Sequence, residues 1–177
     1  KNRKFIVALG MCFLAFISIL NGGNMPIYSK QEIIADNLIE QVSKDLSLRY
    51  GLAPAGFGGS IHEYIEKISI SFCAYDETSL EDSRKLVVKC AEQFIKEINS
   101  SKEISPYLVS DFGMNNVDLC IYYYQIDRDL VPYGNLDCTH LINGKIKYSV
   151  RESEYSSKRI LEESFEDARR IAAEQGM

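Results

Sequence analysis

Apolar residues recur every four positions at Ile34, Leu38, Val42 and Leu46, the spacing that lines one side of an α-helix. Ser29-Lys30-Gln31-Glu32 precedes them, an S-x-x-E capping box whose two side chains satisfy each other's free amides, and Gly51 is a natural stop. The stretch Gly51-Leu-Ala-Pro-Ala-Gly56-Phe-Gly58-Gly59 predicts a flexible helix-to-strand connection. Strand character begins at Ile61. It is clearest where Ile68, Ile70, Phe72 and Ala74 alternate with Ser69, Ser71 and Cys73, giving one apolar face and one small face. Thr78-Ser79-Leu80-Glu81 forms a second capping box. Behind it Leu86, Val87, Cys90, Ala91, Phe94, Ile95 and Ile98 make a broad helical face.

Ser105-Pro106 breaks the connection that follows. Val117, Leu119, Ile121 and Tyr123 then predict a second strand, and residues 136–142 a third. Asn143-Gly144 supplies the positive-φ pair of a two-residue hairpin turn, after which Ile146, Tyr148 and Val150 alternate with Lys145, Lys147 and Ser149. A last helix, over residues 156–173, would bury Ile160, Leu161, Phe165, Ala168 and Ile171. The order α-β-α-β-β-β-α predicts an α+β domain: a mostly antiparallel four-stranded sheet with helices packed on one face. Lys145, Lys147, Ser69 and Ser71 would leave the other face partly open to water.

The first 24 residues follow a different rule. Lys1, Arg3 and Lys4 lead into Phe5–Leu20, an apolar run broken only by Ser18, and Asn21-Gly22-Gly23-Asn24 closes it. A basic start, an apolar run and a small polar exit are the pattern of an export signal. A helix of that length measures about 24 Å, short of the ~30 Å hydrocarbon core, which suits a cleaved signal. The exit has no A-x-A-like triplet, which suits a retained anchor with Lys4 snorkelling to the interface. Both readings divide the chain into a signal peptide or signal anchor, 1–24, and a single extracytoplasmic domain, 25–177. Both place that domain in the periplasm or outside the cell, with membrane contact confined to residues 5–20.

Charge narrows the partners. Without Lys1, Arg3 and Lys4 the exported body keeps 17 basic residues against 25 acidic ones, a net charge near −8. Nucleic acid, whose phosphates demand Lys and Arg, is a poor match for it. The body's four cysteines, Cys73, Cys90, Cys120 and Cys138, allow two disulfides with three pairings in an oxidising compartment. Cys90 on an apolar helix face and Cys73 within a strand fit buried free thiols equally well. If the cysteines do staple or switch the domain, reduction should lower its melting temperature.

Catalytic material is sparse. Cys138-Thr139-His140 and His62 hold all the imidazole, and a nucleophilic Cys138 would need His140 or His62 as its base, with a third group to orient that base. They are too few for a structural zinc site, no C-x-x-C occurs, and the Asp127-Arg128-Asp129 cluster lacks the spacing of a calcium loop. The glycines at 56, 58 and 59 precede a strand, whereas a phosphate loop leads into a helix, so no cofactor is expected. Phe57, flanked by glycines, is a candidate contact residue. Tyr122-Tyr123-Tyr124 must show two tyrosines and Cys120 on one strand face. On an open face Tyr122 and Tyr124 would form an aromatic platform for a peptide or glycan, and under a helix they would be core.

Several stretches resemble an uncharacterised family of small exported bacterial proteins. They are Tyr50-Gly51-Leu52, the loop from Gly56 to Gly59, Leu80-Glu-Asp-Ser-Arg84-Lys-Leu86-Val-Val88, Glu92-Gln-Phe94-Ile-Lys-Glu-Ile98-Asn99 and Ile104-Ser-Pro-Tyr-Leu108. The resemblance spans residues 45–125 and implies an exported bacterial protein, with no activity attached. Taken together, these features predict a non-enzymatic envelope component or secreted factor that binds a protein, peptide or glycan. A small extracytoplasmic thiol enzyme or hydrolase using Cys138 is the alternative.

Overall fold

The computed structural model describes residues 29–61, 63–110 and 112–177. The apolar leader and His62 lie outside the described residues. Helix α1 runs Lys30–Tyr50, with Ser29 as N-cap, the reciprocal Ser29–Glu32 box formed, and Gly51 in the left-handed conformation at φ 67°. Its buried face is Ala35, Ile39, Val42 and Leu46, while Ile34 and Leu38 flank it, partly covered. Helix α2, Leu80–Ser100, starts one residue later than its sequence suggests: Ser79, not Thr78, is the cap, and it accepts from the Asp82 amide. Val87, Cys90, Ala91, Phe94 and Ile98 face the core.

Among the described residues six strands, not four, make one sheet in the order β1-β2-β3-β4-β5-β6. They are β1 (Ala53–Ile61), β2 (Ile65–Ala74), β3 (Val117–Tyr123), β4 (Leu136–Ile142), β5 (Lys145–Arg151) and β6 (Ser157–Ser164). The sheet is mixed: β2 and β3 run parallel, joined by the α2 crossover, and every other neighbouring pair is antiparallel. Asn143 at φ 51° and Gly144 at φ 70° turn β4 into β5.

Two segments depart from the sequence-based expectation. The glycine-rich stretch is not a loop but edge strand β1, paired along β2. With few side chains to show periodicity, it is held by backbone pairing. A Cβ on Gly59 would sit 2.5 Å from the Lys67 carbonyl oxygen, so glycine permits that close approach. The final segment divides: residues 157–164 pair with β5 as β6, and only Phe165–Glu174 form the helix, α3, capped by Ser164. An open β5 edge wins over local helical periodicity because its unpaired amides and carbonyls need partners.

The three described helices share one core with a single face of the sheet, formed by Ile68, Ile70, Phe72, Val117, Leu119, Ile121, Leu141, Ile146 and Tyr148. Inside it, Ser83 of α2 hydrogen-bonds Tyr123 of β3 at 2.8 Å and Thr139 of β4 at 2.5 Å. This buried triad fixes which face of each strand meets the helix. Alternation therefore commits Cys120, Tyr122, Cys138 and His140 to the opposite face. Among the described residues no helix covers that face, and none is long and apolar enough to cross a membrane.

Candidate functional site

The face away from the helices brings together residues that are far apart in sequence. Cys120 lies opposite His140 and Tyr122 opposite Cys138 across the antiparallel β3–β4 pair, while Cys73 of β2 pairs with Tyr122 from the other side. Contacts follow one diagonal of that ladder. Asp118 Oδ1 meets His140 Nε2 at 2.5 Å, and Cys120 Sγ meets Cys138 Sγ at 3.4 Å. Strand twist brings one set of diagonal neighbours close, so both contacts have the same geometric origin.

The electrostatics of the thiols follow from this packing. The hydrogen bond from Cys138 lowers the Cys120 thiol to about 7 against the opposing effect of burial, with help from the Tyr122 hydroxyl and the charge of His140. Cys138 moves the other way, pushed up by its bond to Cys120 and by burial. The pair thus gives up one proton readily and holds the second firmly. Cys73 is raised by burial and by the nearby Cys120 charge. Cys90, on α2 and behind the sheet, is raised to about 12 by burial alone. It is completely buried in the helix-side core, so it faces away from the other three.

A cleft of about 290 Å³ opens at the C-terminal end of β3, lined by Tyr122, Tyr124, Asp137, Cys138, Arg151 and Tyr155. Tyr122 is 40% exposed and Tyr155 90%. Arg151 donates to the Val131 carbonyl at 2.8 Å and stacks on the Tyr133 ring at 4.6 Å. Asp137 accepts from the Ser157 hydroxyl through one carboxylate oxygen, whereas its buried Oδ1 has no partner among the described residues.

The candidate residues therefore separate. Cys138, Tyr122 and Tyr124 line one cleft, and His140 lies on the same face with its Nε2 turned to Asp118. Among the described residues, the hydrogen-bonding partner of Cys138 is Cys120, not His140. Phe57 is half exposed on edge strand β1, at the far side of the sheet. Of the tyrosine triplet, Tyr123 is core and Tyr122 is surface. Cys120–Cys138 is one of the pairings the sequence leaves open, and the β3–β4 register that brings these two together, like the placing of Arg151 and Tyr155 at the cleft, is not readable from it. The alternation that pairs Cys120 with Tyr122 and Cys138 with His140 was the available signal.

Among the described residues no group of three or more His, Cys, Asp or Glu side chains is placed to hold a metal ion. The chain is an α+β module whose helices cover one side of a mixed sheet and whose other side carries a thiol pair and a tyrosine cleft. Comparison with protein-family models, with curated proteins and with solved structures gives no match.

Proposed function

We propose that this is an exported bacterial protein, periplasmic or secreted, whose domain binds an extended peptide segment of a partner protein in the tyrosine cleft. The observation that carries the reading is the cleft's chemistry. It is lined by Tyr122, Tyr124 and Tyr155 beside Asp137 and the Arg151 side chain. A peptide backbone offers C=O acceptors for Arg151, and its side chains can lie on the aromatic rings. The acidic body argues against nucleic acid, and the basic-apolar leader supports export, with any membrane contact through residues 5–20. The resemblance to small exported bacterial proteins agrees with that address. A hydrolase built on Cys138 draws less support, because its thiol is raised and bonded to Cys120.

The test is an NMR titration of the isotope-labelled full chain with a random decapeptide mixture and, separately, with a wall-glycan hexasaccharide. Peptide-induced shifts centred on Tyr122, Asp137 and Arg151, weakened at least tenfold by Arg151→Ala, are expected. Shifts only with the glycan, or only at other surfaces, would overturn the peptide reading. Fractionation of producing cells checks the address, and full-length chain recovered solely from the cytoplasm would reject export.

A further inference from the structure

We propose that Cys120 and Cys138 form a reversible dithiol–disulfide site on the exposed sheet face, oxidised by exchange with a small aliphatic disulfide that enters through the tyrosine cleft. The geometry is already close. The two sulfurs stand 3.4 Å apart on adjacent strands, and a bond of about 2.05 Å needs only a small side-chain rotation from there. Cys138 is partly exposed and lines the cleft, whereas Cys120 is only 6% exposed, so an incoming disulfide meets the pair at Cys138. Of the two remaining body cysteines, Cys90 is sealed on the helix side, while Cys73, next to Tyr122 on the same face, is the one rival partner.

The exchange balances without metal or cofactor. Loss of one proton leaves a single thiolate shared by the pair, and passage of the remaining proton across the 3.4 Å contact to Cys120 Sγ presents that thiolate on Cys138, beside the cleft. That thiolate attacks one sulfur of the incoming disulfide, forming a mixed disulfide and releasing the first small thiolate, which takes up a proton. The second protein thiol then gives its proton to solvent and attacks the protein-side sulfur of the mixed disulfide. The second small thiol leaves. In sum, two protein thiols are oxidised and one small disulfide is reduced to two thiols.

The groups facing the pair set its reactivity. Asp118, Tyr122 and Tyr124 approach from the β3 side, Asp137 and His140 from β4, and Cys73 from β2. Of these, Tyr122 and His140 favour the thiolate on Cys120 and Asp118 opposes it. An exported address would supply the oxidising surroundings, but the chemistry itself needs only the two sulfurs and access to Cys138. It stands or falls separately from peptide binding.

The test uses the reduced full chain in a mixture of reduced and oxidised glutathione at pH 7.5. Acid quenching, alkylation with N-ethylmaleimide and peptide mapping by mass spectrometry then report each cysteine. A Cys120–Cys138 cross-linked peptide is expected, with Cys73→Ser leaving its rate within twofold of wild type. Cys120→Ser should stop at a glutathione adduct on Cys138. A Cys73–Cys120 link, a wild-type glutathione adduct that persists unresolved, or complete alkylation of both thiols would overturn the proposal. Because wild-type mapping decides the matter alone, a variant that fails to fold does not remove the test.

Discussion

Arg84 and Glu163 meet between α2 and β6 at 2.8 Å with side chains only 8% and 10% exposed. Tyr148 donates to the same Glu163 oxygen at 2.7 Å, and the guanidinium lies 5.8 Å from the Tyr148 ring centre. This cluster ties the last strand to the central helix. Replacing Arg84 with Met keeps the packing volume but leaves a carboxylate buried without its cation, a loss of about 3–5 kcal/mol. Urea denaturation should show that loss as a lower midpoint at unchanged slope, and adding Glu163→Gln should return part of it. A change below about 1 kcal/mol would mean that water already solvates Glu163. Two other buried groups contribute to the alkaline limit. Burial raises Cys90 to about 12 from an ordinary 9.0, and Tyr123 to about 12 from 10.0. Both are stabilised in their neutral forms. Their contribution is therefore intact below the unfolded values and lost as pH climbs towards 12. Stability measured against pH should fall above pH 9, less steeply in Cys90→Ala. Equal slopes in the two proteins would show that Cys90 ionises as freely in the fold as in the unfolded chain.

At the scale of elements, the two edge strands are built differently. Strand β6 exposes Lys158, Arg159 and Glu162, charges that discourage pairing with another chain. Strand β1 has no charged residue, and three of its nine residues are glycines. Gly58 and Gly59 are adjacent yet not equivalent. A Cβ at Gly58 meets open space, whereas one at Gly59 collides with the Lys67 backbone carbonyl at 2.5 Å. Gly59→Ala should therefore displace the end of β1 and speed amide exchange along Ala53–Ile61, while Gly58→Ala leaves exchange near wild type. Similar exchange in both variants would mean that β1 slides freely on β2. The same contrast explains what was legible in the sequence. Strands β2 to β5 and helices α1 and α2 announce themselves because their side chains alternate or recur with burial. β1 does not, because glycine leaves no side-chain pattern to read. Residues 157–164 mislead, since Ile160 and Leu161 fit a helical stripe with Phe165, yet Ile160 is 49% exposed on an edge strand. Ser164 and Asp167, which cap α3, held the missed signal for its true start.

For the whole molecule, the consequence of one-sided helical cover is that the two faces of β3 and β4 serve different ends. Tyr123 and Thr139 lock to Ser83 within the core, and this leaves Cys120 and Cys138 facing each other across the sheet's other side. The sequence could count the cysteines but not pair them. The connection between β3 and β4 leaves their register open, and a one-residue slip would send either thiol into the core. A bond between Cys120 and Cys138 would close a loop of 18 residues' separation in the middle of the sheet. Closing such a loop restricts the unfolded chain and stabilises the fold by about 3 kcal/mol. For a domain of this size that corresponds to a melting temperature roughly 10 °C higher. Calorimetry of the oxidised and reduced full chain should show this gap, and a Cys120→Ser/Cys138→Ser double variant should melt at one temperature with or without reductant. A mass-verified disulfide that leaves the melt unchanged would mean that strain in the bonded sheet cancels the entropic gain. The pair would then act as a chemical site without serving as a brace.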